Sequence, residues 1–472
     1  MMSSLADSDY EPNDSIDSDL YNDDICVPEP DHSEVFSRSG HVAIAFENEL
    51  IVWGGTRCVS APANDYCDPN ILWVYNTLND VYTKHAIFGV APPGSCGSCA
   101  VIHDGSLYIF GGFTQTGETY HNLEYSNLLH RLDLTANRLT WNHISPKGTS
   151  PLPCDKLAGW VYGDKLYFFG GFGRHVASFA DSQWIPEEQP TGRGWNNQLF
   201  CYDPATKQWQ WPRTYGPKPQ PRAAHSAAIQ GNCVYVFGGR LDDVRNDQLH
   251  RLNMDTMTWS GDLKCMMKGP HWPPGRSWHT FTFTAPNVAF IHGGLSNSDQ
   301  TLDDVWKLTI EDDAIECEMQ PSHIIEGGAA CPLLWHKSVF FQKGNEIITI
   351  GGLKELNNNE YSNHPERLLN LRLSPKSLFR LCLDALEREE FLPESDYKSL
   401  PAQLKTIVRR RLLKSIDYDA ENDFDVEELN AQPFEMFDDL YYDYNGDDEY
   451  LGYDDDMYGV FDDEYEEYEA SD

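Results

Sequence analysis

Two arginines, Arg240 and Arg245, follow the pair Gly238-Gly239 in a stretch that reads as loop. Lys156, Ser277, Trp278 and Trp335 stand just ahead of apolar runs elsewhere, Phe172 follows another Gly-Gly pair, and Trp195 lies further along that segment. The chemistry open to such a set is anion recognition. A guanidinium offers five donors in a rigid fork that matches a carboxylate, and indole walls exclude the water that would screen the pairing. Composition leaves a second reading open, in which Arg240 and Arg245 pair with Asp242 and Asp243 on a solvated loop. Metal chemistry has weaker support. His41, His225, His279 and His336 recur in phase with a repeat, which suits hydrogen bonding within a repeated fold better than ligation. Cys96 and Cys99 have CxxC spacing but no second pair to complete a zinc site, so they read as two strand thiols. No catalytic residue, metal or cofactor is expected.

The elements that must position these residues are strands. Ala227 to Ile229 and Val234 to Phe237 are short apolar runs separated by Gln230-Gly231-Asn232, which is hairpin-turn chemistry. The second run ends on Gly238-Gly239, and this unit recurs as IVWGG, YIFGG, YFFGG, YVFGG, FIHGG and ITIGG. The first glycines of successive units are 57, 59, 68, 55 and 58 residues apart. A period near 50 residues with a later Trp resembles the kelch repeat. Six repeats imply an all-β fold, a six-bladed kelch β-propeller over residues 25–373 with four antiparallel strands per blade. Blade six has sequence for only three strands, so residues around Ile25 to Val27, or slightly later, are expected to supply the fourth and close the ring. Antiparallel order puts the start of each first strand and the loop after each second strand on one rim. Lys156, Phe172, Arg240, Arg245, Ser277, Trp278 and Trp335 should therefore surround one mouth. The extra residues of the longest interval, roughly 173–196 with Trp184 and Trp195, are expected to form a long loop there.

Charge is distributed unevenly. Of 74 acidic residues, 11 lie in 1–34 and 24 in 417–472, and neither segment contains Lys or Arg. The body is left with 39 acids against 35 bases, so the acidity belongs to two tails, 1–24 and 416–472, which read as disordered. Nucleic-acid binding through them is not expected. No apolar run approaches 18 residues, which predicts no membrane span, and the acidic start predicts no secretory signal. Twelve cysteines scattered singly suit buried thiols in a reducing compartment.

Specific segments extend this reading. RSGH (38–41), DKL (155–157), GW (194–195), PRAAH (221–225), FGGR (237–240), GRSWH (275–279) and LWH (334–336) resemble the kelch substrate receptors of cullin-2 ubiquitin ligases. That resemblance implies a mouth that binds protein C-termini ending in glycine. It assigns Arg240, Arg245 and Ser277 to the terminal carboxylate, with Lys156, Trp195, Trp278 and Trp335 lining the pocket. Two family tyrosines after the double glycine are Thr56 and Phe172 here, so Phe172 keeps the ring and loses the hydroxyl. Residues 374–415 are expected to be helical, with Leu378, Leu381, Cys382, Ala385 and Leu386 on one apolar stripe. A helical pair packed beneath the propeller satisfies that periodicity. The residue identities in SLFRLCLDAL resemble an elongin-binding box carried by Leu378, Cys382 and Leu386. LPAQLKTIV resembles a cullin-2 box carried by Leu400, Pro401, Leu404 and Val408. The resemblance thus implies elongin B/C and cullin-2 as partners and a nuclear or cytoplasmic location. A kelch scaffold without a ligase link is the alternative.

Overall fold

The computed structural model describes residues 33–375 apart from 59–64, 79, 94–95, 116–122, 176–182, 189–190, 327–330 and 357–362, then 378–389, 398–401, 404–405 and 407–408. Six antiparallel meanders follow one another along the chain. Blade one comprises Val42–Phe46, Glu49–Trp53, Ile71–Asn76 and Val81–Ala86, paired in that order. The hairpin read at Gly231-Asn232 is present, with Ser226–Gln230 paired to Cys233–Phe237 and Gln230 opposite Cys233. Gly231 takes φ +60° in its two-residue loop. The second strands are mostly apolar because both of their faces are covered. Ser106–Phe110 and Glu346–Ile350 are buried at every position.

Six apolar clusters hold the blades together, each filled from two neighbours. Trp53 of blade one meets Trp141 of blade two edge to face at 5.3 Å. The repeat tryptophans Trp141, Trp209 and Trp259 are all buried in such seams. The first strands touch in cyclic order, and Lys337–Phe341 of blade six returns to Val42–Phe46 of blade one, so the propeller closes.

The expectation for closure is tested only in part. Among the described residues blade six has three strands, and the outer edge of Leu369–Arg372 is met by an isolated bridge from Ile325 to Leu371, with the Glu326 N–H donating to the Asn370 carbonyl at 2.8 Å. Ile25 to Val27 lie outside the described residues. The segment just after them is a helical turn, Ser33–Phe36, and forms no strand. Val35 and Phe36 are buried in the seam shared by Ile348, Ile350, Leu50 and Val52. The bridge from Ile325 already occupies the strand edge, and the N-terminal turn contributes apolar surface to the seam.

The long interval of blade three is also not a loop throughout. Its second and third strands, Lys165–Arg174 and Arg193–Asp203, run past the double glycine as a paired ribbon with an irregularity between Phe169 and Gly171. Trp184–Pro186 adds to the edge of that ribbon.

Candidate functional site

Each first strand is preceded by one residue in the left-handed region. These are Gly40, Gly97, Lys156, Ala224, Trp278 and Trp335, with φ of 65°, 70°, 54°, 54°, 56° and 59°. The N–H of each donates to the carbonyl of its counterpart one blade earlier, and Gly40 donates to Trp335 to complete the circle, at distances of 2.7 to 3.4 Å. Six backbone amides thus form a closed hydrogen-bonded ring around the propeller axis. Left-handed backbone costs a residue with a Cβ about 1–2 kcal/mol, so four of the six positions hold strain that the ring sustains. Gly40 is required for a further reason, because a Cβ there would lie 3.0 Å from the Trp335 indole and 2.5 Å from Cys96 Sγ.

A second tier stands outside the ring. The residue after each double glycine pairs with the residue preceding each ring member. The pairs are Thr56 with Ser39, Phe113 with Cys96, Phe172 with Asp155, Arg240 with Ala223, Leu295 with Ser277, and Leu353 with Leu334. The two tiers confirm the rim geometry inferred from strand order and divide it chemically. Blades two and three contribute Phe113 and Phe172, blades three and four contribute Lys156 and Arg240, and blades five and six contribute Trp278 and Trp335.

Arg240 and Arg245 face each other across a two-residue ladder, as direct Cα partners. Burial, and then repulsion from Arg245, push the Arg240 guanidinium below its usual range. Its Nε donates to the Asp242 carbonyl oxygen at 3.0 Å, and its ion pair with Asp243 spans 3.9 Å to a carboxylate that is 98% exposed. Such a pair contributes little. Arg245 is buried, and its Nε donates to Ser277 Oγ at 3.2 Å, so two of the three groups that the resemblance assigned to one carboxylate are in contact. Its other arm donates to Asp299 at 2.8 Å, and Asn297 holds its main chain. The expected pairing of both arginines with Asp242 and Asp243 therefore holds only weakly for Arg240, whereas Arg245 takes Asp299.

Lys156 links the rest of the mouth. Its ammonium lies 5.0 Å from the centre of Phe113, 5.6 Å from Trp335 and 6.0 Å from Phe172, and it pairs with the fully buried carboxylate of Asp155. Trp278 and Trp335 are 5.7 Å apart, both half-buried. Trp195 behaves differently from a pocket wall. It is 4% exposed and lies opposite Phe172 on the neighbouring strand at 4.9 Å, where it backs the Phe172 ring. Asp155, Phe113, Asn297, Asp299 and the ring glycines were missed in the sequence. Gly40, Gly97, Lys156 and Ala224 each stand fourteen residues before the first glycine of their unit, a register that could have been read.

The blade-start histidines explain the double glycines. The Cε1 atoms of His41, His225, His279 and His336 lie 2.5, 2.7, 2.7 and 3.0 Å from where a Cβ would stand on Gly351, Gly170, Gly238 and Gly293. Burial holds all four imidazoles below their usual pKa. Among the described residues no group of three His, Cys, Asp or Glu side chains could hold a metal. Cys96 and Cys99 are buried free thiols, and burial pushes Cys99 up to about 12.

Beyond the propeller, Leu378–Glu389 forms a helix. Arg380 anchors it, donating to Asp80 at 2.7 Å and to the Thr77 carbonyl, and Leu383 is buried. Leu378, Leu381 and Cys382 are exposed, the first by 77%, and Leu386 is half-buried. The helix is thus attached through residues off the apolar stripe, and the stripe's first half faces outward. In the following segment Val408 is buried, Leu400 and Leu404 are half-buried, and Pro401 is exposed. No helix among the described residues is long and apolar enough to cross a membrane.

Residues 40–294 match the KLHDC2/KLHL20/DRC7 Kelch-repeats domain. Kelch domain-containing protein 1 of Homo sapiens is 36% identical over 387 residues, covering 79% of this chain and 90% of that protein. Kelch domain-containing protein 2 of Homo sapiens is 33% identical over 393 residues with the same shares. Host cell factor 2 of Homo sapiens is 31% identical over 273 residues, 55% of this chain and 30% of that protein.

Proposed function

The chain belongs to the kelch-repeat family of β-propellers, and on that premise we propose that it is the non-catalytic recognition subunit of a cullin-2–elongin B/C ubiquitin ligase. Its mouth takes protein C-termini that end in glycine. The observation that carries the reading is the facing pair Arg240 and Arg245, with Ser277 on the second guanidinium. Like charges directly opposite in a ladder destabilise it, and a carboxylate between them reverses that sign. Glycine suits the approach, since a ligand without Cβ atoms passes the indoles of Trp278 and Trp335.

The outward residues of the terminal helix support the second half of the proposal. Leu378, Leu381 and Cys382 form an apolar surface on a helix already attached through Arg380 and Leu383. In this reading elongin B/C covers that surface, and the segment carrying Leu400, Pro401, Leu404 and Val408 meets cullin-2.

The test compares a peptide ending in Gly-Gly as free acid and as amide. The acid is expected to bind and the amide to lose about 2–5 kcal/mol, tens- to thousands-fold in affinity. Equal affinities would return the chain to a kelch scaffold. Elongin B/C co-purification with the Leu378→Ser, Cys382→Phe variant checks the helix separately. Loss of elongin with unchanged peptide binding is expected, and retained elongin would refute the box.

A further inference from the structure

The helix Leu378–Glu389 is twelve residues long. A helix of that length is marginal in water, so its order has to come from what it packs against. Arg380 and Leu383, three positions apart and so on one face, supply such contact. The Arg380 guanidinium reaches two blades at once. It donates to Asp80 at 2.7 Å and to the Thr77 carbonyl, both in the turn after the third strand of blade one, and it pairs with Glu346 of blade six at 3.7 Å. Glu346 is 1% exposed and takes its closer cation from Arg372, at 2.8 Å. The receiving turn is itself fixed. The Thr77 N–H and hydroxyl both donate to the Asn48 carbonyl, at 3.0 and 2.8 Å, and the Tyr75 hydroxyl donates to Asp80 at 2.6 Å. Strand direction puts this turn and the start of the Glu346 strand at the end of the propeller opposite the mouth. Arg380 therefore straddles the seam where the last blade meets the first, while Leu378, Leu381 and Cys382 stay exposed.

We propose that Arg380 is a positioning residue for the elongin-facing surface: held by Asp80, it presents Leu378, Leu381 and Cys382 on a helix that is already formed. This role presupposes the ligase reading above and adds the propeller residues that take part in it. A partner that must first order a segment loses affinity in proportion to the fraction of time the segment is competent. Arg380 and Asp80 are 14% and 20% exposed, and their pair is a charge-assisted hydrogen bond largely shielded from water. Such a pair holds the competent fraction high, where a solvated pair contributes little. Asp80 lies 300 positions before Arg380, so the surface that elongin B/C meets depends on a turn of the first blade.

The experiment uses the full chain and measures elongin B/C binding by calorimetry for Arg380→Met, Asp80→Asn and the two together. Asparagine at position 80 keeps an acceptor for Tyr75 and suits the left-handed backbone there, φ +55°. Each single substitution should weaken elongin B/C binding by roughly 5- to 20-fold, and the double variant should lose no more than either alone. Arg380→Lys, which keeps the charge, should recover part of the loss. Gly-Gly peptide affinity should be unchanged, because the mouth is at the other end of the propeller. Parental elongin affinity in Asp80→Asn would overturn the proposal, whether Arg380 then touches elongin directly or serves only stability, the latter marked by a lowered melting temperature. Additive losses in the double variant would overturn it as well. If the parent chain binds elongin B/C and both single variants match it, this proposal alone falls; if the parent does not bind, the ligase reading falls with it. Should Arg380→Met not fold, Asp80→Asn against Arg380→Lys carries the same comparison.

Discussion

Arg276 and Arg245 come from adjacent blades and both are buried, yet their surroundings give them different work. Arg276 is completely enclosed, holds Asp304 with both arms at 2.6 and 2.8 Å and also donates to the Gly293 carbonyl. Arg222 and Arg38 occupy the same position in their own blades and donate to Gly238 and Gly54. This set repeats with the fold and has its acceptors built in. Arg240 and Arg245 do not repeat, face each other, and among the described residues have exposed Asp243 and Asp299 as their carboxylate partners. A cation whose partners are internal stabilises a blade. One whose partners can be displaced can exchange them for a ligand.

The largest expected effect breaks the first set. Arg276→Ala leaves the part-buried Asp304 carboxylate with the indole donor of Trp306, and should cost about 3–5 kcal/mol in urea denaturation. Arg240→Ala should stay within about 0.5 kcal/mol of the parent. Equal losses would erase the distinction.

The complementary measurement is peptide binding by calorimetry. Arg240→Ala and Arg245→Ala should each lose about 2–5 kcal/mol toward a Gly-Gly acid. Binding that survives both substitutions would mean that the facing arginines are not the anion site.

A smaller effect separates the sets by pH. Burial, followed by repulsion from Arg222, lowers His225 to about 3, and burial lowers His292 to about 4. Both therefore fold neutral, and the unfolded chain binds their protons first as acid is added. Their contribution is complete above about pH 6.5 and declines through the window down to pH 3–4, by up to about 1.4 kcal/mol per pH unit for each histidine. Arg240→Ala should leave that profile unmoved in thermal melts across pH, and a shifted midpoint would tie the mouth to the structural set.

The smallest effect concerns Asp299. Its carboxylate is 65% exposed and sits on Arg245, so Asp299→Asn should tighten peptide binding by about 0.3–1 kcal/mol. Weakened binding would instead make Asp299 the group that orients Arg245.

Much of this was legible before any coordinates. Six Gly-Gly units in phase require a six-bladed propeller, and strand direction alone brought Lys156, Arg240, Ser277, Trp278 and Trp335 to one rim. What the sequence did not disclose were contacts between blades. Asp299 lies 54 positions from Arg245 in a Ser- and Asn-rich turn that reads only as loop. The resemblance assigned Trp195 to the pocket lining, and the ribbon of blade three buries it beside Phe172. Counting strands revealed an incomplete blade six but not that Ile325 bridges to Leu371; Ile25 to Val27, where the closing strand was sought, lie outside the described residues. The helix stripe was read correctly as apolar, while periodicity gave no sign that Leu383, off the stripe, would make the attachment.

The circle of six amides has a consequence for how the mouth responds to a visitor. A loop-built receptor has ends that fray, and part of its binding energy goes into stilling them. Here no member of the circle can open without breaking bonds to the blades on either side, so the six N–H groups should exchange with solvent only when neighbouring blades part. Hydrogen exchange at Lys156, Ala224, Trp278 and Trp335 should therefore be as slow as in the deepest strands, although these residues line the opening. Whatever enters meets a rim whose order was established when the last blade met the first.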